Sequence, residues 1–282
     1  MHRYRGEARR VDDMMTSAQV KADVRPAFSI VDAVDARPPV VMTALHAGHE
    51  LRPEVADLVL VDEATRVHEE DPFTDRLAVA GTRVTVHRSR FEVDLNRPRD
   101  QAVYRTPEDA WGLSVWRRPL PGPLVARSRR LYDQFYAALA DRLDRCAARG
   151  RFVVLDIHSY NHRRNGGPAP ASENPELNVG TGSLDRGRWA HVVDGFIAEM
   201  RARHIAGHAL DVRENVRFRG GHLVRWVHRR YPGTGCALAL EFKKVFMDEW
   251  TGVPDDQHIA ELGRAVAAAV PCLEQLIAKE AA

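Results

Sequence analysis

Short runs of β-branched and apolar residues alternate along this chain with longer segments whose apolar residues recur at helical spacing. Val40 to Leu45, Arg83 to Val86, Phe152 to Ile157 and Ala237 to Phe242 read as strands, and their apolar character predicts burial on both faces between helices. Three amphipathic segments read as helices: Ala126 to Ala148, with Leu131, Phe135, Leu139 and Leu143 on one stripe, then Trp189 to His204, and finally Gln257 to Lys279. Gly150 is placed to close the first helix with a left-handed cap, and Pro271 should kink or break the last. The stretch from Asn165 to Gly187, rich in Gly, Pro, Asn and Ser, reads as a long ordered loop after a strand end. The alternation predicts an α/β fold. No repeat or shift in composition divides the chain, so residues 26–282 read as one domain behind a flexible tail of residues 1–25.

Composition narrows the function classes. An apolar fraction of 44% over 282 residues supports a sizeable core, and 41 basic against 39 acidic residues leave a net charge of +2. Such balance gives no global field for nucleic acid or an anionic membrane, although a small anionic substrate fits. Cys146, Cys236 and Cys272 lie far apart with no CxxC pair, against both a disulfide framework and a thiolate zinc site, and consistent with the cytoplasm. No apolar run approaches the ~20 residues of a membrane span, and the N-terminal stretch lacks the apolar region of a signal peptide. The Arg-rich stretches Arg127 to Arg130 and Arg213 to Arg219 read as solvated faces.

Chemistry collects at the predicted strand ends, where open α/β sheets bind their ligands. The first strand leads into His46 within Leu45-His-Ala-Gly-His-Glu50, and the third into His158 within Asp156-Ile-His-Ser-Tyr-Asn161. Two imidazoles so placed can share one zinc ion, which needs a third protein ligand if one position is to stay open for water. His49, Glu50 and the acidic run Glu69-Glu70-Asp71 are the candidates. Glu241 interrupts the apolar run Ala237-Leu-Ala-Leu-Glu-Phe; a carboxylate buried there has a raised pKa and suits a general base, or else pairs with Lys243 or Lys244. Asn96 and Arg97, ahead of Pro98, offer an amide and a planar fork for a substrate carboxylate. His222 and Arg225, after the paired glycines Gly220 and Gly221, form a second anion-receptor candidate on a helical turn.

His46, Ser89 to Arg97, Asp156-Ile-His-Ser159, Asn178-Val-Gly-Thr181, Arg217 to Arg225 and Leu240-Glu241 occur in an order that resembles the N-formylglutamate amidohydrolases, over roughly Val40 to Gly252. Asn96-Arg97, Ile157-His-Ser-Tyr160 and Leu240-Glu241 also look like active-site segments of zinc carboxypeptidases. The resemblance implies a phosphorylase/hydrolase-like fold with a mixed central sheet flanked by helices, and one zinc ion per chain. An aspartate matching Asp71 belongs to the family pattern and points to that residue as third ligand. The implied activity is hydrolysis of the amide of a small N-acyl amino acid such as N-formylglutamate. A metallocarboxypeptidase-type or peptide-maturation hydrolase acting on a short peptide, and a non-catalytic anion-binding module, are the alternatives. Glu69 to Thr74, Asp109 to Gly112, Tyr160 to Arg164 and Lys243 to Gly252 depart from the histidine-degradation enzyme and suggest a different acyl or peptidyl substrate.

Overall fold

The computed structural model describes residues 25–33, 40–163, 167 and 169–278; the tail expected at residues 1–25 falls almost wholly outside them. In chain order the elements are β1 (Phe28–Val31), β2 (Val40–Ala44), α1 (Pro53–Ala56), α2 (Glu63–Glu69), β3 (Thr82–Val86), α3 (Gly122–Ala147), β4 (Phe152–Tyr160), β5 (Leu177–Gly180), α4 (Arg186–Arg201), β6 (His204–Ile205), β7 (His208–Ala209), β8 (Val212–Glu214), α5 (His222–Arg230), β9 (Gly235–Lys243) and α6 (Asp256–Ala278). Seven strands form one sheet in the order β1-β3-β2-β4-β9-β5-β8, and β6 and β7 form a separate ribbon. β3, β2, β4 and β9 run parallel, β1 is antiparallel to β3, and β5 is antiparallel to β9, so the sheet is mixed as expected.

Helices cover both faces. Met42, Leu155, Leu238 and Leu240 pack under α4 and α6 with Trp189, Phe196, Val266 and Leu273, whereas Val41, Val154, Ala237 and Ala239 pack under α3 and α5 with Phe135, Leu139, Leu143 and Val227. This two-sided burial is why the central strands are apolar throughout, at about 2 kcal/mol for each large aliphatic side chain withdrawn from water. The stripe read from the sequence on α3 is real: Phe135, Leu139 and Leu143 are fully buried. Gly150 has φ 130°, a positive value suited to glycine beyond the helix end.

Two expectations are corrected. Pro271 does not break α6, which runs on to Ala278; Val270, Leu273 and Ile277 around it are buried in the α4-side core, and that packing outweighs the ~3 kcal/mol cost of an internal proline. The segment Asn165–Gly187 is not all loop, since it contains β5, inserted between β9 and β8. With only Leu177 and Val179 apolar, β5 has little signal of its own and owes its extension to pairing with distant strands. Among the described residues, no helix is long and apolar enough to cross a membrane, and all three cysteines are free.

Candidate metal centre and active-site cleft

On the face covered by α3 and α5, the side chains turn polar at the carboxyl ends of the parallel strands. Along β4, Phe152 and Val154 give way to Asp156 and His158; along β9, Ala237 and Ala239 give way to Glu241. β4 is longer than its apolar run suggests, so His158 lies within the strand and pairs in register with Glu241. Asn178 of β5 is Glu241's register partner on the other side.

His46 leaves β2 in a turn that requires Gly48: a Cβ there would lie 2.2 Å from the backbone carbon of His87. That close approach lets Glu50 N–H bond to His87 O at 3.1 Å and ties the His46 loop to the end of β3. Asp71 arrives from the turn after α2. Its backbone N–H donates to His46 O at 3.0 Å, and its carbonyl accepts from the Thr74 hydroxyl at 2.7 Å. The ammonium of Lys244 donates to His68 O at 2.6 Å and Glu70 O at 2.7 Å, clamping the stretch that presents Asp71.

These elements bring His46, Asp71 and His158 together as a buried group whose ligand atoms all lie within 4.8 Å of one another. Asp71 Oδ2 is 3.2 Å from His46 Nδ1 and 3.0 Å from His158 Nδ1, and the ring centroids are 4.9 Å apart. The outer nitrogens also face carboxylates. His46 Nε2 lies 2.8 Å from Asp94 Oδ1, and His158 Nε2 lies 3.0 Å from Asp156 Oδ2 and 3.2 Å from the Asn96 amide nitrogen. The carboxylates are themselves held: Asp94 Oδ2 accepts from the Tyr104 hydroxyl at 2.6 Å and from Arg90 at 3.1 Å, and Asp156 Oδ1 accepts from the Thr43 hydroxyl at 2.6 Å.

This donor set fits a metal ion. Three of the four ring nitrogens hydrogen-bond to carboxylates and the fourth, His158 Nε2, lies 3.0 Å from Asp156 Oδ2, so negative charge surrounds both imidazoles. A cation held by the two Nδ1 atoms and Asp71 would leave the outer nitrogens facing Asp94 and Asp156, the usual outer support of a metal-bound histidine. The electrostatics carry the same preference for positive charge. Burial alone would push His158 down, but Asp156, Asp71 and Glu241 hold it well above the ordinary imidazole value. Burial alone would raise Asp71, and the two histidines outweigh it, so its carboxylate is ionised well below the usual range.

Glu241 is the exception among the acids. Burial, reinforced by Asp71 and Asp156, raises its pKa to about 7 against the pull of His158 and His46. The sequence alternative of an ion pair is not what the lysines do, since Lys243 donates to Asn174 O at 3.3 Å and Lys244 to the two carbonyls already described.

The cleft above this group has a volume of about 200 Å³ and is lined by His46, Asp71, Asn96, His158 and Glu241, with Arg90, Arg217, Trp111, Tyr160 and Lys244 among its other walls. Arg97, His222 and Arg225 do not line it. Arg97 stacks over Tyr104 at 4.9 Å, with its Nε 3.5 Å from Asp94 Oδ2. His222 is 3.0 Å from the Tyr132 hydroxyl and Arg225 donates to Gly220 O at 2.9 Å. Asn96 reaches the cleft because α5 grips it: Leu223 N–H donates to its side-chain oxygen at 3.0 Å, in space that a Cβ on Gly221 would fill. Among the other candidate third ligands, Glu70 turns away to His49 and Ser89, and Glu50 lies beside Arg25. Among the described residues the guanidiniums that reach the cleft are Arg90, inside Ser89–Arg97, and Arg217, which corrects the reading of Arg213–Arg219 as a wholly solvated face. Turns interrupt both segments and leave no periodicity to say which side chain points inward.

The fold and site together define a mixed α/β protein with a buried His-Asp-His group, able to hold a metal ion, at the carboxyl ends of its central strands. Residues 38–247 match the sequence pattern described as N-formylglutamate amidohydrolase, and the chain belongs to that family. It is 28% identical over 253 residues to an N-formylglutamate deformylase of Pseudomonas aeruginosa, covering 82% of this chain and 90% of that protein. In fold it is similar to the crystal structure of an N-formylglutamate amidohydrolase from Ralstonia eutropha JMP134, with a TM-score of 0.72 at 18% identity, covering 90% of this chain and 99% of that one. A gene product of Agrobacterium tumefaciens gives a TM-score of 0.59 at 21% identity, with 90% and 94% covered.

Proposed function

We propose that this chain is a zinc-dependent amidohydrolase that cleaves the amide of a small N-acyl amino acid such as N-formylglutamate. The observation that carries the reading is the meeting of His46, Asp71 and His158 beside Glu241, the one acid of the group whose pKa is raised to about 7. His46 Nδ1, His158 Nδ1 and Asp71 would hold the zinc, which supplies Lewis acidity toward the amide carbonyl and its attacking water. Glu241, as carboxylate, takes the proton of that water and returns it to the departing amine nitrogen. Asn96 and the guanidiniums of Arg90 and Arg217 hold the substrate carboxylate in the cleft. Arg97, His222 and Arg225 act as positioning residues, Arg97 through Asp94 and the other two through the α5 turn that grips Asn96.

Exposed Trp111 on the cleft wall favours a second reading, in which a longer acyl group or a short peptide extends over its ring. Turnover of N-formylglutamate, N-acetylglutamate and dipeptides by the zinc-loaded protein separates the two. The account expects amide cleavage in at least one class, lowered about 10²–10⁴-fold in Glu241→Gln with zinc retained. Undiminished turnover in that variant would remove Glu241 from the mechanism, and no cleavage of any of these would leave the anion-binding alternative.

A further inference from the structure

Arg127 and Arg130, which sequence alone assigns to a solvated helix face, stand over a second concavity of about 250 Å³ that shares no lining residue with the active-site cleft. Arg52, Arg88 and Glu92 form its floor and Leu131 and Gln134 part of its wall. Glu92 is fully committed: one oxygen accepts Arg52 Nε at 2.7 Å, the other accepts Arg52 N–H at 2.8 Å. Arg52 also donates to the Ser128 hydroxyl at 2.8 Å, which fixes its guanidinium against α3. Arg88 is left over. It is 7% exposed, its Nε approaches Glu92 no closer than 3.8 Å, and that nitrogen has no hydrogen-bond partner among the described residues.

Arg127 pairs at the rim with Glu54, which also lies 3.8 Å from Arg52. Four guanidiniums therefore face two carboxylates, a surplus of two positive charges around one small hollow. A buried guanidinium nitrogen without a partner is costly, and a bound acceptor would satisfy it.

We propose that this hollow is a binding site for a compact dianionic oxyanion, the phosphate group of inorganic phosphate or a phosphate monoester. Arg88 supplies the buried donor, Arg52 fixes the floor, and Arg127 and Arg130 close over the anion from α3. A phosphate matches both the surplus charge and the fork geometry of arginine, whereas a monocarboxylate leaves one positive charge uncompensated.

Calorimetric titration of the full chain at low ionic strength with inorganic phosphate, glycerol 3-phosphate and acetate tests the site. About one phosphate-type ligand per chain is expected, with affinity weakened about tenfold in Arg88→Met and about threefold in the exposed Arg130→Ala, the loss of buried and screened charge-assisted hydrogen bonds respectively. Arg217→Ala, which alters only the cleft, should bind phosphate as the unaltered chain does. If Arg88→Met fails to fold, the double variant Arg127→Ala/Arg130→Ala, both on the surface, carries the test. A preference for glycerol 3-phosphate over phosphate, or the reverse, tells a monoester from the free ion and supports the site either way. Absence of phosphate binding, acetate binding as tightly as phosphate, or binding lost in Arg217→Ala but kept in the α3 variants would overturn it.

Discussion

Two pairs of histidines in this fold differ in what suits an imidazole to hold a cation. His46 and His158 face Asp71, Asp94 and Asp156 across both edges of their rings. His222 and His228, on α5, are paired with no carboxylate among the described residues. His222 meets the Tyr132 hydroxyl, and His228 accepts the Ala237 N–H at 3.0 Å through Nε2, which leaves its Nδ1–H to donate to the Ser183 hydroxyl at 2.8 Å. Burial pushes both α5 histidines down to about 4, with Arg229 and Arg225 adding to the fall at His222, whereas His158 is held far above its ordinary value. His222 is buried, as the first pair is, and His228 is half-buried. The carboxylates, not the imidazoles or their burial, mark the first pair as a place for a cation.

That contrast can be broken from the carboxylate side. Asp94→Asn removes the charge behind His46 while keeping its shape, and should weaken zinc affinity about 10–100-fold in a chelator-competition titration. Unchanged affinity would mean that the outer carboxylate contributes no more than the Tyr132 hydroxyl does for His222. The pH profile sharpens the same point. In the proposed mechanism Glu241 acts as a carboxylate, so turnover should rise as pH climbs through a midpoint at or below 7, because a bound cation would add to the charges that favour ionisation. This rising limb should be absent from the residual activity of Glu241→Gln.

A smaller effect follows for stability. In the metal-free chain Glu241 ionises near 7 when folded and at its ordinary value near 4.5 when unfolded. Its proton therefore supports the fold below 4.5, and that support is lost between 4.5 and 7. Glu241→Gln should raise metal-free stability at pH 8 by about 2 kcal/mol, after discounting for partial exposure, and by nothing at pH 4. Denaturant melts at the two pH values check this; equal gains at both would detach the effect from ionisation. Smallest is the change expected on α5. His228→Leu orphans the Ala237 N–H and should cost about 1–2 kcal/mol, with zinc content untouched.

Sequence patterning showed the parallel core strands because burial on both faces makes each a continuous apolar run, and the polar residues that end those runs, His46, His158 and Glu241, stood out against them. β5 did not, since Leu177-Asn-Val-Gly180 carries two apolar side chains and its extension depends on partners more than thirty positions away. For the same reason the order of acids and arginines between Ser89 and Arg97 was readable, but not their directions. Asp94 faces His46 and draws Arg90 toward the cleft, and Arg97 is left on the outer side over Tyr104. The neighbouring Arg88 and Glu92, offset by two positions, face the other concavity instead.

The most direct test of the central claim is the metal content of the purified chain beside that of His46→Ala/His158→Ala, with His228→Leu as the control. About one zinc per chain in the unaltered protein and in His228→Leu, and none in the double variant, is the predicted result. Equal zinc in all three, or none in any after reconstitution, would contradict the assignment of His46, Asp71 and His158 as the ligands.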